Sequence, residues 1–457
     1  MNRSTRAVAL CAAFALAGCV GTEEEAIRTR RPADPVVSES APQLDEQRLA
    51  DFGMSLYWAS PLRGEVITGV FLEGQVLPAV DRKKRTYGAG KPCLYAFTKA
   101  QRLYQIDLNS GNVNWVYEVG RELMHTGSGR PITEFVFRPS RATRFKTYDE
   151  VYFVAGDHLY ALDKTSGAAL WITSLDFPSA SPPEATRSYV FVGGHDDRVY
   201  AFNKEEPEFP AWNWRTDDDV SNRPATLPRN PNVFVASTDG SLYTFPQNAP
   251  KPRTPFKTER RIVHDPIMYQ NKVYVAAEDY NLYVIDAISG RLDTRFGAES
   301  PISGTPVISA NSAVGIDYSI YFPAEGKGLF AMRRGARPEG ARRDPHEVKW
   351  NHPTATRFLC RGLEDAYLME PTDEFDSVKV TRVDALAGNQ RDSMTLSGVD
   401  YLVTNPNSPK AAFEEEKLVG GILVLGYRNG WILALKETKS LPGGEFDVAP
   451  RRAVAAE

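Results

Sequence analysis

The stretch DHLYALDKTSGAALW (Asp157–Trp171) holds the pattern from which the architecture is read. An apolar strand ends at Asp163, a short polar turn runs to Gly167, and a second strand begins around Trp171. Asp163 can cap the turn through its carboxylate, and Gly167 supplies the position with φ > 0 that such a turn needs. The same spacing recurs as DLNSGNVNW, with Asp107, Gly111 and Trp115 in the corresponding places. Partial copies run from Asp286 to Gly290, followed by Phe296, and from Asp384 to Gly388, where no Trp follows.

Outward from this turn, a larger unit repeats: apolar strand, tight polar turn, apolar strand. Clear copies are VYFVAGDHLYALD (151–163), VFVGGHDDRVYAFN (190–203), VFVASTDGSLYTF (233–245), VYVAAEDYNLYVID (273–286) and IYFPAEGKGLFAM (320–332). Weaker copies are LYAFTKAQRLYQID (94–107), YLMEPTDEFDSVKVTRVD (367–384) and ILVLGYRNGWILAL (422–435). Alternating β-branched and aromatic residues around Gly, Asp and Asn are the signature of β-hairpins. The second strands end 40 to 56 residues apart, the range of four-stranded propeller blades.

A Pro-bearing strand precedes many hairpins, as in SNRPATL and VHDPIMY. Proline donates nothing to a ladder, so it suits an edge strand lining a central channel. The expected fold is all-β, an eight-bladed propeller, with seven left open because the seventh copy is weak. The last copy lacks its own fourth strand, while GMSLYWASPL, with Trp58, lies unpaired before the first. An N-terminal strand completing the last blade removes both open edges. The propeller is thus expected over 51–440, with a disordered tail at 441–457.

The N-terminus has its own logic. Arg3 and Arg6 precede AVALCAAFALAG, an apolar run too short to span a bilayer comfortably and suited to a secretory signal. It ends in LAGC, which resembles a bacterial lipobox and makes Cys19 the expected acylated first mature residue. Residues 1–18 are then a signal peptide and 19–50, rich in charge, Pro and Ser, a flexible tether. Losing the two arginines brings the net charge from −4 to about −6. Val20, where Asp would resemble an inner-membrane retention signal, favours the outer membrane, with the protein on its periplasmic face. No basic stripe is present, so nucleic acid is not an expected partner.

The Asp-x-x-[Ser/Thr]-Gly-x-x-x-Trp element resembles the tryptophan-docking repeat of quinoprotein-like propellers. That resemblance spans about Asp51 to Lys439 and implies that Trp58, Trp115 and Trp171 dock on neighbouring blades. Enzymes of that family hold a quinone in the channel over a calcium ion, often with a disulfide between adjacent cysteines. Here Cys93 and Cys360 fall in the first and seventh units, and neither a Cys-Cys pair nor a Cys-x-x-Cys-His motif is present. Two buried thiols and no cofactor are expected. His195, Asp196 and Asp197 fall in a hairpin turn and read as solvated turn residues rather than a metal site.

Two irregular stretches are candidate recognition loops: residues 121–150, and an insertion at 332–350 carrying Arg333, Arg334, Arg337, Arg342 and Arg343. Lipid anchor, tether and propeller together resemble the BamB family of outer-membrane β-barrel assembly lipoproteins. That resemblance implies a non-enzymatic scaffold, held to the membrane by lipid and bound to a protein partner of the assembly machinery. A quinone-dependent dehydrogenase, or a propeller binding glycan or peptide, are the alternatives.

Overall fold

The repeated hairpins form, and each becomes the middle of a larger sheet. The computed structural model describes residues 40–72, 93–120, 135–136, 150–227, 230–310, 318–334, 346–374, 376–406, 421–438 and 451–452. The chain opens with helix α1 (Glu46–Phe52) and strand β1 (Met54–Pro61). Blade 1 comprises β2 (Ile67–Leu72), β3 (Cys93–Thr98), β4 (Arg102–Asp107) and β5 (Val113–Glu118). Blade 2 holds β6 (Phe135–Val136), β7 (Glu150–Ala155), β8 (His158–Asp163) and β9 (Ala169–Ser174). Blade 3 holds β10 (Glu184–Ala185), β11 (Tyr189–Gly193), β12 (Arg198–Asn203) and β13 (Pro210–Arg215).

Blade 4 is built from β14 (Ala225–Thr226), β15 (Asn232–Ala236), β16 (Ser241–Pro246) and β17 (Phe256–Lys257). Blade 5 has β18 (Ile267–Tyr269), β19 (Lys272–Ala276), β20 (Asn281–Asp286) and β21 (Leu292–Gly297). Blade 6 has β22 (Val307–Ala310), β23 (Tyr318–Ala324), β24 (Gly328–Arg334) and β25 (His346–His352). Blade 7 has β26 (Arg357–Arg361), β27 (Asp365–Glu370), β28 (Ser377–Asp384) and β29 (Gln390–Ser397). Blade 8 takes β30 (Tyr401–Val403), β31 (Ile422–Tyr427) and β32 (Trp431–Glu437), then β1, and a short β33 (Arg451–Arg452). Eight sheets make an eight-bladed propeller, and the weak seventh copy forms a full blade.

The N-terminal strand closes the ring. β1 pairs antiparallel with β32 from Met54 opposite Glu437 to Pro61 opposite Trp431. First strands of successive blades touch, β10 to β14 to β18 and β2 to β30, so they are the innermost ones. The second and third strands are sandwiched between neighbouring blades and are buried on both faces, as in β11 and β15. That is why they read as continuous apolar runs rather than strict alternations. Among the outer strands, β5 alternates between buried and exposed positions, and β9 and β13 are mostly exposed or half-buried. The core is consequently a set of seams, such as Phe191, Trp212, Val235 and Phe245 between blades 3 and 4.

Two expected boundaries shift. Helix α1 starts inside the stretch 19–50 read as tether, capped by Asp45, whose carboxylate accepts from the Arg48 amide at 3.0 Å. The helix buries Leu49 and Phe52 on the core and ends at Gly53 in the left-handed region. Weak apolar periodicity hid it, because two buried residues suffice where a neighbour supplies the rest. At the other end, Arg451 and Arg452, within the expected disordered tail, pair in parallel with Trp58 and Ala59 of β1.

Candidate functional site

The turn that opened the sequence analysis has the geometry its residues require. Asp163 Oδ1 accepts from the amides of Thr165 at 3.0 Å and Ser166 at 2.7 Å, and the Gly167 amide donates to Asp163 O at 2.8 Å. Asp107 caps Asn109 and Ser110 the same way, at 2.9 and 3.0 Å, and Gly111 closes that turn. Asp286 with Gly290, and Asp384 with Gly388, repeat it. Burial pushes the Asp163 and Asp286 carboxyls up, but their hydrogen bonds win. Asp163 ends below the usual carboxylate range, and Asp286, which also faces Lys272, falls to about 2.

Each turn receives a side chain from the preceding blade. Trp58 Nε1 of blade 8 donates to Leu108 O of blade 1 at 2.8 Å, and Trp115 Nε1 of blade 1 donates to Lys164 O of blade 2 at 2.8 Å. A Cβ at Gly111 would lie 2.6 Å from the Trp58 ring, and one at Gly167 would lie 2.6 Å from Trp115. These glycines, with φ of 72° in both, are therefore required twice, for backbone conformation and for ring approach. Gly290 has the same φ region but nothing within 4 Å of its Cβ position, so no ring docks on its turn, which instead receives Arg253 of blade 4 on Ile288 O.

Trp350, in the fourth strand of blade 6, docks over Gly388 of blade 7 and donates to Ala385 O at 3.3 Å. Trp212 docks from blade 3 onto Gln247 O of blade 4 at 3.0 Å, with no Gly turn beneath it. Neither docking was anticipated. In this ring a docking Trp lies on the turn of the blade that follows its own, as Trp58, Trp115 and Trp350 do. Trp171 faces blade 3, which lacks the Asp–Gly turn. It stays half-buried against Tyr152, ring centroids 5.8 Å apart.

The register explains the docking position. The outer strand carries a one-residue bulge against its neighbour, and Trp58, Trp115, Trp171, Trp212 and Trp350 are each the residue just after it. A bulge re-aims the side chain beside it. In blade 5 that place is Thr294, and in blade 7 it is Asp392. Asp392 receives Arg48 of α1 in a two-bond fork, Nη1 to Oδ2 at 3.0 Å and Nη2 to Oδ1 at 2.9 Å.

Of the expected partner-loop arginines, Arg333 and Arg334 end strand β24 rather than lying in the insertion. Arg333 is committed within the protein: Nε donates to Ser319 Oγ at 3.0 Å and Nη2 to Ala385 O at 2.7 Å, beside the Trp350 dock. Arg337, Arg342 and Arg343 lie outside the described residues, as does Cys19. So does most of 121–150; Phe135–Val136 and Glu150 belong to strands β6 and β7. Cys93 and Cys360 are buried and not joined in a disulfide.

The turns between second and third strands, and the connections between blades, emerge on the face opposite the docking turns. There blades 3 to 5 gather carboxylates that are far apart in sequence. Asp197, in the left-handed region at the β11–β12 turn, meets Asp218 and Asp219 of the next connection, with ligand oxygens within 4.8 Å of one another. His195 Nδ1 stands 3.0 Å from Asp219 Oδ2, while Arg215 reaches Asp197 and Arg261 reaches Asp218, each at 3.4 Å. Such oxygens can hold a hard divalent cation, although two of the three already face arginines. Asp239 and Asp279, in the next two turns, each accept a Tyr hydroxyl at 2.7 Å, from Tyr243 and Tyr283. Tyr280, 43% exposed, stands among them.

The inner strands are the place for a quinone held over calcium, which needs carboxylate and amide oxygens around the channel. The described inner strands carry one carboxylate, Glu184, and two guanidinium groups, Arg357 and Arg361. Glu184 is buried and accepts from Thr226 of the next inner strand at 2.9 Å. This set does not fit a calcium-held quinone.

Fold, docking position and capped turns together define an eight-bladed propeller whose repeat resembles that of quinoprotein-like propellers. A model for the family described as outer membrane protein assembly factor BamB matches residues 99–215. Among solved structures, BamB from Moraxella catarrhalis is similar with a TM-score of 0.55 at 13% identity, over 84% of this chain and 97% of that one. The computationally designed Ika8 protein is similar with a TM-score of 0.51 at 13% identity, over 83% and 99%. A comparison with curated proteins returns no match. The chain thus resembles BamB in its repeat and its fold, and at this identity the structural likeness speaks for the fold alone.

Proposed function

We propose that this chain is a non-enzymatic scaffold, anchored to the outer membrane through lipid on Cys19, that binds a protein partner in outer-membrane β-barrel assembly. The observation that carries the reading is the acidic face of blades 3 to 5. Loops on a rigid ring are a common place for recognition, since the scaffold holds them while they vary. Asp197, Asp217, Asp218, Asp219, Asp239 and Asp279 are presented there from three successive blades, with the Tyr280 ring exposed among them. The likeness to BamB and the lipobox reading of Cys19 support the location and the class of partner. The insertion with Arg337, Arg342 and Arg343 is a second candidate surface, rooted between β24 and β25 on the opposite face.

The test is recovery of partners by the mature, lipidated protein from detergent-solubilised envelopes, identified by mass spectrometry. Wild type is expected to retain an outer-membrane β-barrel protein stoichiometrically. Replacing Asp217, Asp218 and Asp219 by Asn should reduce that recovery at least about tenfold, the equivalent of 1.4 kcal/mol. Unchanged recovery in that variant moves the contact elsewhere, and the Arg337, Arg342 and Arg343 to Ala variant then decides for the insertion. Failure of wild type to retain any envelope protein, or a quinone absorbance in the purified chain, overturns the scaffold reading.

A further inference from the structure

The inner strand of blade 7 ends in a charge that no carboxylate among the described residues pairs with. Arg361, the last residue of β26, is 2% exposed and among the largest fully buried side chains of the chain. Tyr321 of blade 6 stacks on Phe358, ring centroids 4.1 Å apart, and its hydroxyl accepts from Arg361 Nη1 at 3.3 Å. Arg361 Nε is buried without a partner. A guanidinium keeps its charge at any ordinary pH and offers five N–H donors in a planar fork. Removing such a charge from water is costly unless an anion faces it.

Elsewhere the chain supplies that anion: Lys204 meets Glu150 at 2.8 Å, Arg102 meets Glu65 at 2.6 Å, and Arg391 meets Asp365 at 2.9 Å. Among the described residues no carboxylate pairs with Arg361. The acidic residues nearest in sequence face other arginines, Glu364 towards Arg391 and Asp365 towards Arg391 and Arg382. At the other end of the same strand, Arg357 is bonded to neutral groups, Thr404 Oγ1 at 3.0 Å and Leu402 O at 2.6 Å. The two guanidinium groups of this inner strand thus have neutral partners among the described residues.

We propose that Arg361, positioned by Tyr321, forms an oxyanion-binding site at the seam of blades 6 and 7, taking a group of the phosphate or carboxylate type. Arg361 Nε–H is the open donor. Tyr321 accepts from Nη1, on the edge away from Nε–H, and so fixes the orientation of the guanidinium. A guanidinium edge suits an oxygen-bearing anion, and charge-assisted bonds of this kind are the stronger ones. The site is independent of the scaffold reading, because it lies away from the acidic face and needs no protein partner.

The experiment is calorimetric titration of the mature chain with inorganic phosphate and, separately, with acetate, at ionic strength held constant with sodium chloride. Wild type should bind at least one of them saturably at one site; which one separates a phosphate from a carboxylate ligand. Arg361→Met, which fills the same space without charge, should weaken binding at least about tenfold, and Tyr321→Phe should weaken it severalfold. Arg361→Lys, which keeps the charge but loses the fork, should fall between wild type and Arg361→Met. If Arg361→Met does not fold, the Lys and Phe variants decide. Absence of saturable binding by wild type, or equal binding by every folded variant, overturns the proposal.

Discussion

Two neighbouring seams of this ring are built from opposite chemistry. Between blades 8 and 1, Trp58 is 1% exposed, bonded to Leu108 O and pressed onto Gly111. Between blades 7 and 8, the equivalent position after the bulge is Asp392, and what it meets is Arg48, on a helix standing where a capped turn would be. The second seam cannot copy the first, because the third and fourth strands of blade 8 come from opposite ends of the chain and no turn joins them. A charged fork closes the gap instead. Its carboxyl is held below the usual range, first by the Arg48 hydrogen bond. Around it Leu49, Phe52, Met54 and Leu396 bury apolar surface, and Arg382 donates to Phe52 O at 2.6 Å. The pair is partly exposed, so its contribution is small, and the apolar contacts carry most of the seam.

The largest expected effect is at the tryptophan seam. Trp58→Ala should cost about 3–5 kcal/mol in urea unfolding, the range for truncating a large buried aromatic. Trp171→Ala, at a half-buried and undocked position, should cost clearly less. Equal losses would break the link between docking and stability.

A sharper comparison lies in two glycines of the same backbone conformation. Gly290→Ala should cost about 1 kcal/mol, for φ alone. Gly167→Ala must also displace the Trp115 ring and should cost about 1–3 kcal/mol more. If thermal or urea unfolding finds the two alike, ring approach is not what requires the glycine.

Acid should loosen the turns next. An unfolded aspartate ionises near 3.9 as an approximate reference value, and Asp286 is held at about 2. The native state is then favoured above roughly pH 4, and that contribution is lost as the pH falls towards 2. Asp163, Asp384 and Asp392 are lowered too and add in the same direction. The urea midpoint should drop through this window, and Asp286→Asn should make the drop shallower. A midpoint flat to pH 2 would remove the caps from the account.

The smallest effect belongs to the charged seam. Arg48→Ala should cost about 1 kcal/mol or less, and most of that should vanish in high salt. A salt-insensitive loss of several kcal/mol would mean that the fork, and not the apolar cluster, holds blade 8 to blade 7.

Much of this architecture was legible in the residues. Hairpins at Val151–Asp163 or Val273–Asp286 declare themselves because their strands are buried on both faces and their turns need Gly, Asp or Asn. Closure by the Trp58 strand was legible as two open edges needing each other. The destinations of the side chains were not. Trp350 and Gly388 are separated by most of a blade of sequence, and nothing local says that the ring brings them together. Asp197 reads as an ordinary turn residue until blade 4 places Asp218 and Asp219 beside it. Arg333 reads as part of a basic loop, yet it is spent on Ala385 of the next blade.

The division follows the range of the forces. Turn chemistry and strand periodicity act within a few residues, so the sequence by itself determined hairpin and blade, with Asp163 and Gly167 as the clearest marks, while the choice of eight blades over seven waited for the sheets themselves. Which groups share a seam depends on ring closure, a property of the whole chain. Tertiary structure alone decided that Trp115 rests on Gly167, that Arg48 answers Asp392, and that Arg361 is buried facing no carboxylate among the described residues.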